Sequence, residues 1–519
     1  MSGRGDGRRR DGRRGGGGGG RRAPRPTARD AALSVLVSVA EDDAYANLLL
    51  PHRIEEARLS AADAALATEL AYGALRMSGY YDAIIGIVAK RPAEQVDPLA
   101  RSALQLGIHQ LLNMRVSTHA AVNETVSAVR NRGGQGAAGF VNANLRRVSE
   151  AEPEEWRERV AATQPDALAR LALLTAHPLW IARALRDALR LGAGAPSQDD
   201  TAELERALEA DNRSPEVRLA ALPGLADRRE TVAAHPDRLR EDPASPVAMR
   251  LAEGDPVELE EVRSGAVRVQ DAGSQLVALA LSRCAPLRPG ERVLDLCAGP
   301  GGKSALLAAE SRLAGAEFEA NEVVPARARL VRRALEPLSG PDGLRVTELD
   351  GREFAERPEA YDRILVDAPC TGLGALRRRP EARWRKRPED VGTLTRLQEE
   401  LLEAALVALA PGGALVYATC SPHPAETVGV VRTVLRTGLS AEGIEVLDAA
   451  VVCDALAPEL DLPSTGAVDL AGGRAVQLWS HRHGTDAMFI ALLRRRPAAE
   501  AVETDHTPAS EPDTRSADR

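Results

Sequence analysis

Val293-Leu-Asp-Leu-Cys-Ala-Gly-Pro-Gly-Gly-Lys303 points to an α/β fold. Its apolar start has the look of a short buried strand, the glycines that follow make a turn, and a helix opens near Ser304. In an open α/β sheet, ligands sit beyond the carboxyl ends of the strands. Glycine there lets the backbone approach a ligand closely. The residues Cys297, Ala298, Gly299, Pro300, Gly301, Gly302 and Lys303 are therefore a candidate cofactor loop, with a tight structural turn as the plain alternative. The Gly-x-x-x-x-Gly-Lys-Ser/Thr pattern of a phosphate loop is absent.

Downstream, strands alternate with helices, as in an open α/β sheet. The pattern predicts strands at Arg292–Cys297, Glu317–Asn321, Arg345–Leu349, Arg363–Asp367 and Ala414–Thr419, then Ile444–Leu447, Ala475–Trp479 and Met488–Leu493. Glu322 ends the second strand, where a carboxylate can accept hydrogen bonds from a ribose diol, and Asp350 ends the third. Either alone reads as an ordinary loop carboxylate; together they point to an adenosine site.

Asp367-Ala-Pro-Cys370 ends the fourth strand and Thr419-Cys-Ser421 the fifth, so both thiols face one crevice. Taken singly, a cysteine at a strand end is usually a small buried hydrophobe. A pair beside a cofactor loop suits a specific chemistry. Carbon 5 of cytosine is a poor nucleophile until a thiolate adds to carbon 6, giving an enamine that attacks a methyl donor. Asp367, if it keeps its proton, can donate a hydrogen bond to N3 during that addition. Cys297 reads as packing, and Cys284 and Cys453 lack such a context.

Between the two thiols, residues 377–387 carry seven cations and Trp384. Cations neutralise phosphates and an indole stacks on bases, so Arg377, Arg378, Arg379 and Trp384 are candidate RNA contacts; a solvated charged loop is the bland reading. Upstream, apolar residues recur at helical spacing from Thr27 to about Val160. Thr27-Ala-Arg-Asp30 resembles a capping box, and helices are expected at Ala31–Val39, Asp63–Arg76, Tyr80–Ala89 and Pro98–Asn113. Residues 165–262 read as a small α/β connector, with a helix near Pro178–Arg190, a polar linker near Leu191–Thr201 and a short strand at Glu216–Ala220.

The chain has 519 residues, too many for one core, and a net charge of −8 that leaves nucleic-acid binding to local basic patches. No apolar run reaches bilayer-spanning length. Residues 1–26 hold nine arginines and six successive glycines, without the layout of a secretory signal; disorder is expected there and over 497–519, and a cytoplasmic location for the whole. Five cysteines without a Cys-x-x-Cys pair suggest individual thiols rather than a metal site.

Taken together, these motifs resemble the RNA cytosine-5 methyltransferases of the RsmB (Sun, Fmu) type in the NOL1/NOP2/Sun group. The carriers are Asp295–Ser304, the run from Tyr361 to Trp384, and Tyr417–Ser421. Asn212–Pro215, Gln270–Leu276 and Gly484–Phe489 resemble further segments of the group, and His119–Thr125 with Phe140–Arg147 resemble its NusB-like domain. The resemblance spans about residues 27–495. It implies a NusB-like all-α domain over 27–164, the connector over 165–262, and a Rossmann-like class I methyltransferase domain over 263–496 with a mostly parallel seven-stranded sheet. It also implies Cys420 as nucleophile, Cys370 in product release, and S-adenosylmethionine held by residues 297–303, Glu322, Asp350 and Asp367. The substrate implied is small-subunit ribosomal RNA before or during assembly, and a monomer is expected.

Three departures stand out: Ala298-Gly299 where the group has two alanines, Glu322 for an aspartate, and Pro422–Thr427 in place of a Glu-Asn ending after Thr-Cys-Ser. Rival readings fare worse. A nitrogen-directed methyltransferase would present Asp/Asn-Pro-Pro-Tyr/Phe, and a non-catalytic antitermination-type RNA binder would have a decayed cofactor loop. Methylation of a different RNA is the remaining alternative.

Overall fold

The computed structural model describes residues 25–192, 201–340, 343–437 and 443–497. The Arg/Gly-rich start, most of the polar linker after Leu191 and the tail from 498 lie outside the described residues. From Ala28 to Ala161 the chain is helical. Helix Ala28–Glu41 begins where it does because Thr27 Oγ1 accepts the Asp30 amide while the Asp30 carboxylate accepts the Thr27 amide. Helix Pro98–Asn113 opens with Pro98 behind the capping carboxylate of Asp97 and runs through the middle of the bundle, with Ala103, Leu104, Leu106 and Ile108 fully buried. A polar residue at that depth needs partners. Gln110 has them in Arg29, Thr125 and the Leu106 carbonyl.

Helices Ala167–Leu174, Leu179–Leu189 and Thr201–Ala210 follow, packed on Leu373, Leu376 and Trp479 from much later in the chain. Then comes a four-stranded antiparallel sheet of β1 (Arg218–Ala221), β2 (Leu239–Glu241), β3 (Ala248–Leu251) and β4 (Val267–Val269), in the order β2-β3-β1-β4. Its last strand lies beyond residue 262, where the sequence pattern ended the connector.

The main sheet contains β5 (Arg292–Asp295), β6 (Glu317–Asn321), β7 (Arg345–Thr347), β8 (Tyr361–Asp367), β9 (Leu409–Thr419), β10 (Ile444–Val446), β11 (Ala467–Leu470), β12 (Gly473–Gln477) and β13 (Phe489–Arg495). Its order is β11-β12-β13-β9-β8-β5-β6-β7, with β10 paired to β13. The five strands β5 to β9 are parallel, and β13 runs antiparallel to β9. The count is nine among the described residues, not the expected seven. Two short strands make up the difference: β10, where the pattern placed a strand at Ile444–Leu447, lies along the end of β13, and β11, which the pattern did not mark, returns from β12 through Ala471-Gly472, both at positive φ.

Side chains alternate across this sheet. Val293, Leu365, Val416 and Ile490 face one core, with helices Ala272–Arg283 and Gly302–Ala314; Leu294, Ile364, Leu415 and Phe489 face the other, with helix Pro388–Ala408. Covered on both faces, β5, β8 and β9 carry uninterrupted apolar runs at Val293–Leu294, Ile364–Val366 and Ala414–Ala418. From β5 the chain goes to β6 and β7, then crosses back to β8. The order reverses between β5 and β8, so a crevice opens at their carboxyl ends.

Candidate active site

β5 leads straight into the glycine loop. Asp295 is buried, with Ser304 Oγ donating to it at 2.6 Å, and burial pushes its carboxyl up to about 7. Gly301 adopts φ +90°, and a Cβ there would lie 2.7 Å from Ala334 Cβ, so only glycine fits. Helix Gly302–Ala314 then starts with Gly301 at its N-cap and no side chain capping it. The amides of its first turn lack intrahelical partners. Beside them lies Gln270, buried, its amide about 4 Å from where a Gly302 Cβ would sit; neither polar atom of that amide has a protein partner. Unpartnered donors and an unpartnered amide around a glycine loop fit the zwitterionic end of an S-adenosylmethionine molecule.

Glu322 accepts from the amides of Gly299 and Val324, both at 2.9 Å, and so holds the loop from the neighbouring strand end. Asn321, which sequence reasoning did not single out, ties three strand ends together by donating to the Leu296 and Leu349 carbonyls and accepting the Leu349 amide. Asp350 caps the short helix Gly351–Glu356 and pairs with Arg352, which holds its carboxyl below the usual range. Lys303 reaches across the crevice to Asp367 at 2.8 Å; burial would lower its pKa, but Asp367 more than offsets this and raises it.

The two crevice thiols come together. Cys370, after β8, and Cys420, after β9, have their sulfur atoms 3.4 Å apart and partly buried. Their proton affinities diverge. The hydrogen bond from Cys370, supported by Lys303, puts the Cys420 thiol below its ordinary value despite burial and Asp367; the same bond and burial push Cys370 well above it. The pair is therefore electrostatically unequal: Cys420 is the thiol that gives up its proton more readily, and Cys370 the one that keeps it. Burial raises the other three: Cys284, Cys297 and Cys453, the last to about 12.

Gly374 donates its amide to the Cys420 carbonyl and accepts the Ala487 amide, at 2.9 Å each. A buried glutamate, Glu426, bonds to the residues that follow each cysteine. The basic run behaves differently from a free loop. Arg377 and Arg378 are both held by Asp271 and Asp486, joining the Gln270 and Thr485 segments to the site. Arg383 is fully buried among acceptors from three parts of the chain: the carbonyls of Arg76, Ala176 and Asp211, and Asn212 Oδ1. Arg385 donates to the Val39 and Ala44 carbonyls, and the ring of Trp384, 42% exposed, lies against Gly79. Arg383, Trp384 and Arg385 form a seam with the helical domain, and Arg379 is exposed.

A mostly parallel sheet with a glycine loop at its reversal point and acidic residues at successive strand ends defines an α/β methyltransferase, here joined to an N-terminal helical domain. The comparisons agree. Residues 284–494 match the family described as 16S rRNA methyltransferase RsmB/F, and residues 26–150 match the NusB family. Rv1407 of Mycobacterium tuberculosis, whose name records a methyltransferase and no substrate, is 44% identical over 92% of this chain and 98% of its own length. The ribosomal RNA small subunit methyltransferase B of Vibrio vulnificus is 31% identical over 80% of this chain and 92% of its own. The crystal structure of PH0851 superposes with a TM-score of 0.71 at 21% identity, covering 90% of this chain and 98% of that one, which shows a shared fold. This chain belongs to the RsmB/F family of 16S rRNA methyltransferases.

Proposed function

We propose that this protein methylates carbon 5 of a cytosine in small-subunit ribosomal RNA, through a covalent bond between Cys420 and carbon 6 of the base. The observation that carries the reading is the 3.4 Å thiol pair at the ends of the adjacent strands β8 and β9, with the Cys420 thiol held below its ordinary value and Cys370 above it. S-adenosylmethionine, when bound, supplies an electrophilic methyl group. Residues 297–303, Glu322, Asp350 and Asp367 would hold it, with the first-turn amides and Gln270 around its amino-acid end. Cys420 Sγ adds to carbon 6, and the electron pair of the 5,6 double bond becomes available at carbon 5. Lys303, which Asp367 holds beside the thiols, supports the negative charge that develops at the N3 edge. After methylation a base takes the carbon 5 proton, the double bond re-forms and Cys420 leaves; Cys370, in contact with the leaving sulfur, assists that release.

The domains in this reading are a NusB-like RNA-binding part over 27–164, the connector over 165–262 and the methyltransferase domain over 263–496. A base inside a folded RNA must be unstacked, at a cost of a few kcal/mol. Contacts by the helical part and by Arg379 and Trp384 to flanking RNA offset that cost.

The test is incubation of wild type, Cys420→Ala, Cys370→Ala and Arg379→Ala with small-subunit RNA and labelled S-adenosylmethionine, followed by denaturing gels and mapping of methylated cytosine. Cys420→Ala is expected to lose at least about a thousandfold in rate, Cys370→Ala to accumulate a denaturation-resistant RNA adduct, and Arg379→Ala to bind RNA more weakly. Methylation by Cys420→Ala removes the nucleophile assignment; absence of methylcytosine from the wild-type reaction removes the reading.

A further inference from the structure

The loops that carry the two cysteines do not touch by their sulfur atoms alone. Glu426 lies in the segment Pro424–Glu426, fully buried, and its two carboxylate oxygens are divided between donors. Oε1 accepts the Thr371 amide at 2.7 Å and the Gln398 amide nitrogen at 3.2 Å; Oε2 accepts the hydroxyls of Thr371 at 2.5 Å and Ser421 at 2.6 Å. Thr371 follows Cys370 and Ser421 follows Cys420. The link is reinforced on both sides. Gln398 also donates to the Pro369 carbonyl, one residue before Cys370, and Tyr417 of β9 donates its hydroxyl to the Glu426 carbonyl.

We propose that Glu426 is the positioning residue of the cysteine pair: its carboxylate fastens the residue after Cys370 to the residue after Cys420 and thereby sets the separation of the two sulfur atoms. This rests on the reading of Cys420 and Cys370 given above. No other type of side chain suits the place as well. A carboxylate can accept four hydrogen bonds at once and donates none, and four donors converge here. A glutamine of the same shape would turn one NH2 group toward hydroxyls that can reorient, so it keeps the volume and part of the tie while removing the charge. Alanine removes the tie entirely.

Charge acts in the same direction as geometry. The charged groups around the thiols are Asp367, Lys303, Glu426 and Asp486; Glu426 favours the proton on Cys370, and Lys303 favours the anion on Cys420. Glu426 thus keeps the two sulfurs both close and chemically unequal.

The experiment uses the full chain as wild type, Glu426→Gln and Glu426→Ala. Alkylation of Cys420 and Cys370 by iodoacetamide is quantified by mass spectrometry from about pH 6 to pH 9, alongside thermal melting and methyl-transfer kinetics. In wild type, Cys420 is alkylated first. In Glu426→Ala that preference is expected to collapse, and kcat to fall by about tenfold to a hundredfold with KM for RNA and for S-adenosylmethionine little changed; Glu426→Gln falls between the two. If the alanine variant has no cooperative melt, the glutamine variant decides by its alkylation ratio. Wild-type alkylation ratios and wild-type kcat in a folded variant overturn the proposal. A wild-type enzyme that transfers no methyl group sinks the functional reading instead, and the alkylation ratio still decides the role of Glu426.

Discussion

Cys420 and Cys370 are the same side chain, and their surroundings alone ease proton loss from one and oppose it in the other. Burial acts on Asp295 as well. Burial raises its folded pKa to about 7 from an ordinary 3.8. Below about pH 4 both folded and unfolded chains hold this proton, and above about pH 7 both have released it. In between, the folded state binds more protons, so stability falls as pH rises. Asp295→Asn removes that penalty. Urea melts are expected to show the variant gaining on wild type between about pH 4.5 and 7.5, by on the order of 4 kcal/mol; parallel stability curves would show that Asp295 ionises normally.

Among the elements, the turn after β8 is the most tightly built. A Cβ on Gly374 would stand 1.9 Å from the Ala487 carbonyl oxygen and 2.9 Å from that of Cys420. Gly374→Ala must displace backbone, so a loss of about 1–3 kcal/mol is expected, together with reduced methyl transfer, because the obstruction bears on the end of β9. A melting temperature equal to wild type would contradict this. The glycine loop, the acidic strand ends and both crevice thiols were legible because each is declared by neighbours in sequence. β6 and helix Pro98–Asn113 matched the pattern residue for residue. β11 was missed because four residues carry too little alternation to mark a strand. Glu426 was missed for another reason: its principal partner, Thr371, is 55 positions away, and no local pattern encodes that.

At the scale of the whole molecule, the basic run shows where composition misleads. Seven cations in eleven residues look solvated, yet Arg383 is fully buried and donates to residues 307 and 207 positions upstream. A buried cation removed from its acceptors leaves them unpaired. Arg383→Met leaves buried carbonyl acceptors unpaired, so it is expected to cost about 1–3 kcal/mol and to loosen the helical domain from the sheet. Calorimetry would then resolve two transitions where wild type has one, and a single unshifted transition would show that the seam does not depend on this residue.

Three of the four acceptors of Arg383 are main-chain carbonyls. Every amino acid brings the same carbonyl, so a substitution at Arg76 leaves its acceptor in place, whereas a change at Arg383 removes the peg and a change at Asp211 removes the carboxylate that favours the cation. The seam is therefore forgiving of drift on one side and intolerant on the other. A helical domain exchanged with that of a distant relative would still find its anchor, provided the recipient keeps the arginine.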